Sequence, residues 1–145
     1  VRLAAQHFRD VLAVDVFYKK IDSTLRGPIG SECIALLDAV EADAMVIAPA
    51  YPQYRRRTVG GYVLVEGIPV EQTMVGRDPR APVRQSHLPT LIAQQVAKPE
   101  WVGHIELSTI LHGAGPIHTA ISEMINDGKR LIVLDACSET DMEQI

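Results

Sequence analysis

The residue types best suited to chemistry are gathered between Lys19 and Glu32, in the stretch KKIDSTLRGPIGSE. Its first nine residues, KKIDSTLRG, hold a carboxylate (Asp22), two hydroxyls (Ser23, Thr24), a guanidinium (Arg26), two ammonium groups (Lys19, Lys20) and a glycine (Gly27). Arg26 offers a planar, bidentate donor fork that matches a carboxylate or phosphate. Gly27 lets the backbone approach a ligand closely or adopt positive φ. Pro28 suits the first turn of a helix, where its missing N–H would have no intrahelical partner. The start of such a helix adds unpaired N–H groups and a partial positive charge. The loop therefore suits a small anionic ligand held between a strand and a helix, where open α/β sheets place their ligands. A helix-capping network with a structural ion pair would use the same residues, and the loop's composition does not decide between the two.

Other candidates carry weaker signals. Arg55-Arg56-Arg57 could contact phosphate groups or close over a ligand, or form a solvated loop. Thr58, Gly60 and Gly61 could offer N–H groups to an anion, and turn chemistry explains the glycines equally well. HGAGPIHT, residues 112–119, has Gly-x-Gly before a helix, but His118 stands where a dinucleotide fingerprint needs its third glycine. No Gly-x-x-x-x-Gly-Lys-Ser/Thr occurs, so the stretch reads as a tight turn. His7, His87, His104, His112 and His118 show no compact ligand spacing, so no metal site is expected and surface or capping roles are the default. Asp135 ends a buried strand at the sheet's carboxyl edge, where it either faces the site or starts the next loop. Asp78-Pro79 reads as a turn. Trp101, Tyr51, Tyr54 and Tyr62 lack a stacking pattern on a basic face, which disfavours nucleic acid.

These groups need elements to position them. Residues 1–12 read as helix and 14–19, VDVFYK, as an alternating strand. Residues 28–42 read as helix, with Ile29, Cys33, Leu36, Leu37 and Val40 at helical spacing, and 44–48 as a buried strand. That strand–helix–strand unit predicts a right-handed crossover into a parallel sheet. APAYPQYRRRTVGGY reads as loop, and YVLVEGIPVEQT as a hairpin turning at Glu66-Gly67. VGRDPRAPVRQS reads as another loop, after which Ser86 caps a helix running to about Val96. A strand within 101–111, a turn at HGAGP, a helix over 116–127 and a buried strand over 130–135 complete the pattern. Ser138 and Asp141 have the spacing of a helix start. The fold class expected is α/β, a mostly parallel sheet flanked by helices with an inserted β-hairpin arm.

The bulk numbers set limits. At 145 residues the chain fits one domain with a real core. The balance of 14 Lys+Arg against 18 Asp+Glu, a net charge of −4, argues against nonspecific nucleic-acid binding. No apolar run reaches the ~20 residues that span a bilayer, so no membrane is expected. The opening residues lack a signal peptide's layout. Cys33 and Cys137 lie far apart outside any CxxC pair and read as free thiols in a cytoplasmic protein. The first residue is not Met and falls in a predicted helix, and the last residues start another, so the sequence is expected to be a piece of a longer protein.

YKKIDSTLRGPIGSE, APAYP, TVGGYVLVEGIPV and RDPRAPVRQSHLPTLIAQQ together resemble the sugar-binding domain of the four-carbon acid sugar kinases. The resemblance covers nearly the whole chain, and the KxDSTLRG and TVGGY blocks carry most of it. It implies a substrate-binding domain, over residues 1–145, of an enzyme that phosphorylates the terminal hydroxyl of threonate, erythronate or oxo-tetronates. It implies that Arg26 clamps the acid's carboxylate, that Asp22 and Ser23 hydrogen-bond its hydroxyls, and that Lys20 supports the charge. Asp22 is also the catalytic candidate, either as general base or as the group that orients the hydroxyl. Arg56 falls where the family has a Gly-Arg-Thr-Thr stretch, here Arg55-Arg56-Arg57-Thr58, and residues 55 and 57 depart from that pattern. At position 28 the family often has Asn. The family's Asp-Asp-x-Thr-Gly motif is expected before residue 1 and its ATP-binding domain after residue 145. ATP and Mg are thus expected for the full-length enzyme, bound outside this chain, and the 145 residues alone are expected to be inactive. The expected partner is a small-molecule sugar acid, and a homo-oligomer is compatible with the sequence. A second reading, from another class, is a non-catalytic small-acid-binding or effector and interaction module. A third is a purely structural α/β domain.

Overall fold

The computed structural model describes residues 1–11, 14 and 16–145. Its centre is a three-stranded parallel sheet of β1 (Met45–Ile47), β5 (Val102–Ile105) and β6 (Leu131–Leu134), in the order β1-β6-β5. The run LIVL explains the central place of β6. All four residues are fully buried, as befits a parallel strand covered on both faces. Successive side chains alternate between two cores. Leu131 and Val133 join Leu25, Ile29, Cys33, Leu37, Leu88 and Ile92. Ile132 and Leu134 join Ile105, Ile110 and Ile117. Each such side chain contributes about 1.5–3 kcal/mol on burial.

Helices cover both faces. α2 (Ile29–Val40) and α3 (Leu88–Ala93) supply the first core, and α4 (Leu107–Ile110) with α5 (Ala114–Asn126) supplies the second. α1 (Arg2–Val11) packs its Ala5 against Leu36 and Ala39 of α2. α6 (Glu139–Gln144) starts with a full capping box: the Asp141 N–H donates to Ser138 Oγ, and the Ser138 N–H donates to the Asp141 carboxylate. Among the described residues no helix is long and apolar enough to cross a membrane.

The arm is a separate antiparallel meander of β2 (Arg56–Val59), β3 (Tyr62–Val65) and β4 (Ile68–Pro69). Two-residue turns join its strands: Gly60-Gly61 at φ 57° and 75°, and Glu66-Gly67 at 54° and 84°. Positive φ at both central positions matches the right-handed twist of a tight hairpin. The arm is pinned to the main sheet by paired backbone bonds, Thr58 N–H to Ala136 O at 2.8 Å and Ala136 N–H to Thr58 O at 3.0 Å.

The α/β class, the parallel sheet and the turn at Glu66-Gly67 match the sequence reading. Four local expectations do not. Residues 16–20 form no strand; Asp15 lies outside the described residues. The alternation in that stretch is real, since Val16 and Tyr18 are exposed while Phe17 packs on the α1–α2 cluster, but among the described residues it has no ladder partner. Residues 56–59 form β2 rather than loop, because pairing with β3 outweighs the local signal of three arginines. Ser86 does not cap α3: its hydroxyl accepts from the Glu71 N–H at 3.0 Å, its N–H donates to the Glu71 carboxylate, His87 takes the cap position, and the helix stops at Ala93. The expected turn HGAGP is shorter than read, since α5 already begins at Ala114, after Gly113 at φ 90°.

Candidate functional site

The IDSTLRG loop braces itself. Asp22 Oδ1 accepts from the Thr24 N–H at 3.1 Å and from Thr24 Oγ1 at 3.0 Å, and the Leu25 N–H donates to the Asp22 carbonyl at 2.9 Å. This is an Asx turn. Leu25 follows at φ 66°, left-handed for a residue with a side chain, and its side chain is buried in the first core. The plug thus holds the backbone in a conformation that costs roughly 1–2 kcal/mol.

That geometry delivers Arg26 to Asp22. Arg26 Nε donates to Asp22 Oδ2 at 2.6 Å, while the guanidinium stays about half exposed. Burial pushes the Asp22 carboxyl up, but the bonds from Arg26 and Thr24 outweigh it and hold the group below the usual carboxylate range. Asp22 is therefore charged at neutral pH and largely engaged. Asp78 lies on the other side of Arg26, 4.0 Å away, and accepts the Arg80 and Ala81 N–H groups as the turn former its sequence suggests.

Ser23 links the loop to the arm. Arg56 Nη1 donates to Ser23 Oγ at 2.6 Å across 33 residues of sequence. Arg56 Nε is buried without a hydrogen-bond partner among the described residues, as is Thr58 Oγ1. Arg55, at φ 52°, and Arg57 are exposed, so only the middle arginine of the three turns inward.

The expected pocket residues are divided between two depressions. Lys20 and Ser23 line a groove of about 520 Å³ between residues 17–21 and β1, with Cys33 and Tyr51 also on its wall. Arg26 lines a smaller pocket of about 220 Å³ with Arg84, Gln85, Gln94 and Gln95. Asp22–Arg26 and Ser23–Arg56 are each joined directly, whereas Lys20 is not brought to Arg26. Its neighbour Lys19 instead pairs with Glu32 in the first turn of α2 at 2.6 Å. Two N–H groups at the start of α2 are already taken by the protein: Ile29 donates to the Gly27 carbonyl at 3.0 Å and Gly30 to Gln95. Gln95 Oε1 accepts the Gly30 N–H at 2.7 Å, and Pro28 occupies the cap position rather than the first helical one.

The structure adds residues that sequence reasoning left open or missed. Asp135 is fully buried and faces the arm, with its oxygens on the N–H groups of Gly60 at 2.7 Å and Gly61 at 2.9 Å. So Gly60 and Gly61 do offer N–H groups to an anion, and the anion is the protein's own. Arg84 had no signal beyond its charge, because only the tertiary fold carries the 81–85 loop to Arg26. The histidines form no metal cluster among the described residues. The cations of Lys98 and Arg130 lie 5.0 and 4.9 Å from the Trp101 ring centre, a packing role for that side chain.

Residues 1–145 match the model of the sugar-binding N-terminal domain family. The chain is 43% identical over 131 residues to a D-erythronate kinase of Heliobacterium modesticaldum, covering 90% of this chain and 29% of that protein. It is 35% identical over 128 residues to a D-threonate kinase of Salmonella typhimurium, covering 88% and 29%. The solved structure of Haemophilus influenzae protein HI1011 superposes with a TM-score of 0.88 at 27% identity, over 99% of this chain and 35% of that one. The chain thus spans under a third of the length of these curated relatives. A match over every residue, on a shared fold, makes this chain a member of the sugar-binding N-terminal domain family of the four-carbon acid sugar kinases.

Proposed function

We propose that this domain binds a four-carbon sugar acid and presents its terminal hydroxyl for phosphorylation from ATP within a longer polypeptide. The observation that carries the proposal is the linked pair of contacts Asp22–Arg26 and Ser23–Arg56, which brings two guanidinium groups to adjacent residues of the IDSTLRG loop, Arg26 at the smaller pocket and Arg56 beside Ser23 on the larger groove. The exposed Nη groups of Arg26 form a fork for the carboxylate. Ser23 Oγ already accepts from Arg56, so its O–H is available to a substrate hydroxyl or carboxylate oxygen. The names of the similar proteins, an erythronate kinase and a threonate kinase, support this substrate class.

In this reading Asp22 orients Arg26 rather than taking the proton of the substrate hydroxyl. Its carboxylate is engaged by three donor groups, and a depressed pKa makes it a poor base. Phosphoryl transfer relies mainly on positioning and charge stabilisation, which a clamp of this kind provides. Lys20, on the wall of the larger groove, supports the site's charge at a distance. ATP and Mg belong to parts of the polypeptide outside these residues.

The test is ATP consumption by the full-length protein with threonate, erythronate and the oxo-tetronates, with Arg26→Ala in parallel. Turnover on one acid, lost in the variant, supports the reading. A folded, ATP-binding protein that turns over none of them sinks it and favours a non-catalytic acid-binding module.

A further inference from the structure

We propose that Asp135 is a positioning residue for the sugar-acid site, one that holds the Gly60–Gly61 turn, and through it β2 and Arg56, at the carboxyl edge of the parallel sheet. The inference rests on the functional reading above and extends it to a residue that touches no substrate.

The carboxylate is fully buried and fully used. Oδ2 accepts from the Gly60 N–H at 2.7 Å and the Leu107 N–H at 3.1 Å. Oδ1 accepts from the Gly61 N–H at 2.9 Å and from His104 Nε2 at 2.9 Å. Four donors from the arm, from β5 and from the start of α4 thus converge on one anion at the end of β6. Positive φ at both glycines turns successive N–H groups toward the same point, the concave nest that ordinarily receives an anion. A buried carboxylate needs such partners, because an unpaired one would cost several kcal/mol. The structure therefore couples the position of the turn to the end of β6.

The coupling reaches the site in two steps. One residue beyond Asp135, Ala136 makes both backbone bonds to Thr58, so residues 135–136 grip the arm over Thr58 to Gly61. Arg56 and Thr58, two positions apart on β2, share a face, and that face carries the Arg56 guanidinium to Ser23. Space beside the turn is also limited: a Cβ on Gly61 would lie 2.8 Å from His87 Nε2. The turn is held by Asp135 and abutted by His87.

The experiment compares wild type, Asp135→Asn, His104→Ala and His104→Gln in the full-length protein. Asn keeps the volume but sets an NH2 group against N–H donors, and Gln can replace the lost His104 donor. The expected result is a KM for the acid raised tenfold or more in Asp135→Asn, with KM for ATP unchanged. His104→Ala shows the same pattern more weakly, His104→Gln lies close to wild type, and amide exchange over Thr58–Gly61 speeds up in step. An unchanged acid KM in folded Asp135→Asn overturns the proposal, and so does an unchanged KM in His104→Ala where Asp135→Asn fails to fold. Wild type inactive on every four-carbon acid would sink the substrate reading instead. The latch is then judged on exchange alone, where unchanged rates over Thr58–Gly61 overturn it.

Discussion

Ser23 Oγ and Arg56 Nη1 lie 2.6 Å apart, and this contact joins the IDSTLRG loop to an arm that the main sheet grips from its other end. The two halves of the candidate site are therefore coupled before any ligand arrives. A double-mutant cycle with Ser23→Ala and Arg56→Ala should show it. Arg56→Ala alone should weaken acid binding by about 10- to 150-fold, the loss of one charged hydrogen-bond partner at roughly 1.5–3 kcal/mol. The double variant should cost less than the sum of the singles, since residues in contact do not act independently. Strict additivity in titration calorimetry with the acid would mean that the contact plays no part in binding. Arg56→Lys should not restore affinity, because an ammonium cannot reproduce the planar fork.

The carboxylates predict an acid limit. For Asp135, burial pushes the pKa up, but His104 and the Gly61 and Gly60 N–H groups hold it below the ordinary value, and Asp22 is depressed in the same way by Arg26 and Thr24. A group whose folded pKa is depressed stabilises the fold above its unfolded pKa and loses that contribution as pH falls through the folded one. Stability should thus be constant with respect to these two groups near neutrality and decline below about pH 4. Denaturant titrations at pH 7 and pH 3 should show a smaller difference between the two pH values in Asp135→Asn than in wild type. An equal difference would mean that Asp135 is not depressed by its partners.

How much of this was legible in the sequence depended on whether the signal was local. LIVL before Asp135, the helical spacing from Ile29 to Val40, and Glu66-Gly67 each state their structure within a few residues, and the structure agrees. Ser86 had every local mark of a helix cap, but Glu71, 15 residues away, claims both its hydroxyl and its N–H. Arg55 to Arg57 read as loop because pairing with β3 cannot be seen in three arginines. The candidate site divides in the same way. A structural ion pair within the DSTLR motif was one of two readings the sequence left open, and the Asx turn at Asp22 was in neither. The Arg84 neighbour, the Gln95 cap on α2 and the Asp135 anchor depend on contacts between distant segments.

The two thiols should respond differently. Burial pushes Cys33 up to about 11, and Cys137, half-buried beside Asp141, is also raised. Both are neutral thiols at pH 8, and only a thiolate attacks a disulfide reagent. In native protein Cys137 should react slowly and Cys33 should react only as the protein unfolds. Mass spectrometry of labelled peptides over time would check the order. Labelling of Cys33 ahead of Cys137 would mean that the groove on which Cys33 lies opens in solution.

Leu25 offers the sharpest test of how the site loop is built, because two effects oppose each other at one residue. Its side chain is buried in the first core, so truncation to Ala should cost about 2–5 kcal/mol. Its backbone sits at φ 66°, where Ala keeps the left-handed penalty of roughly 1–2 kcal/mol and Gly does not. At an ordinary position Gly is the more damaging substitution. Here Leu25→Gly should destabilise less than Leu25→Ala, by about 1 kcal/mol, while both lose the plug. Equilibrium urea unfolding of the pair would decide it. If Leu25→Gly proves the less stable of the two, the loop is not held in the left-handed conformation, and the short Asp22–Arg26 contact that depends on it would have to be made another way.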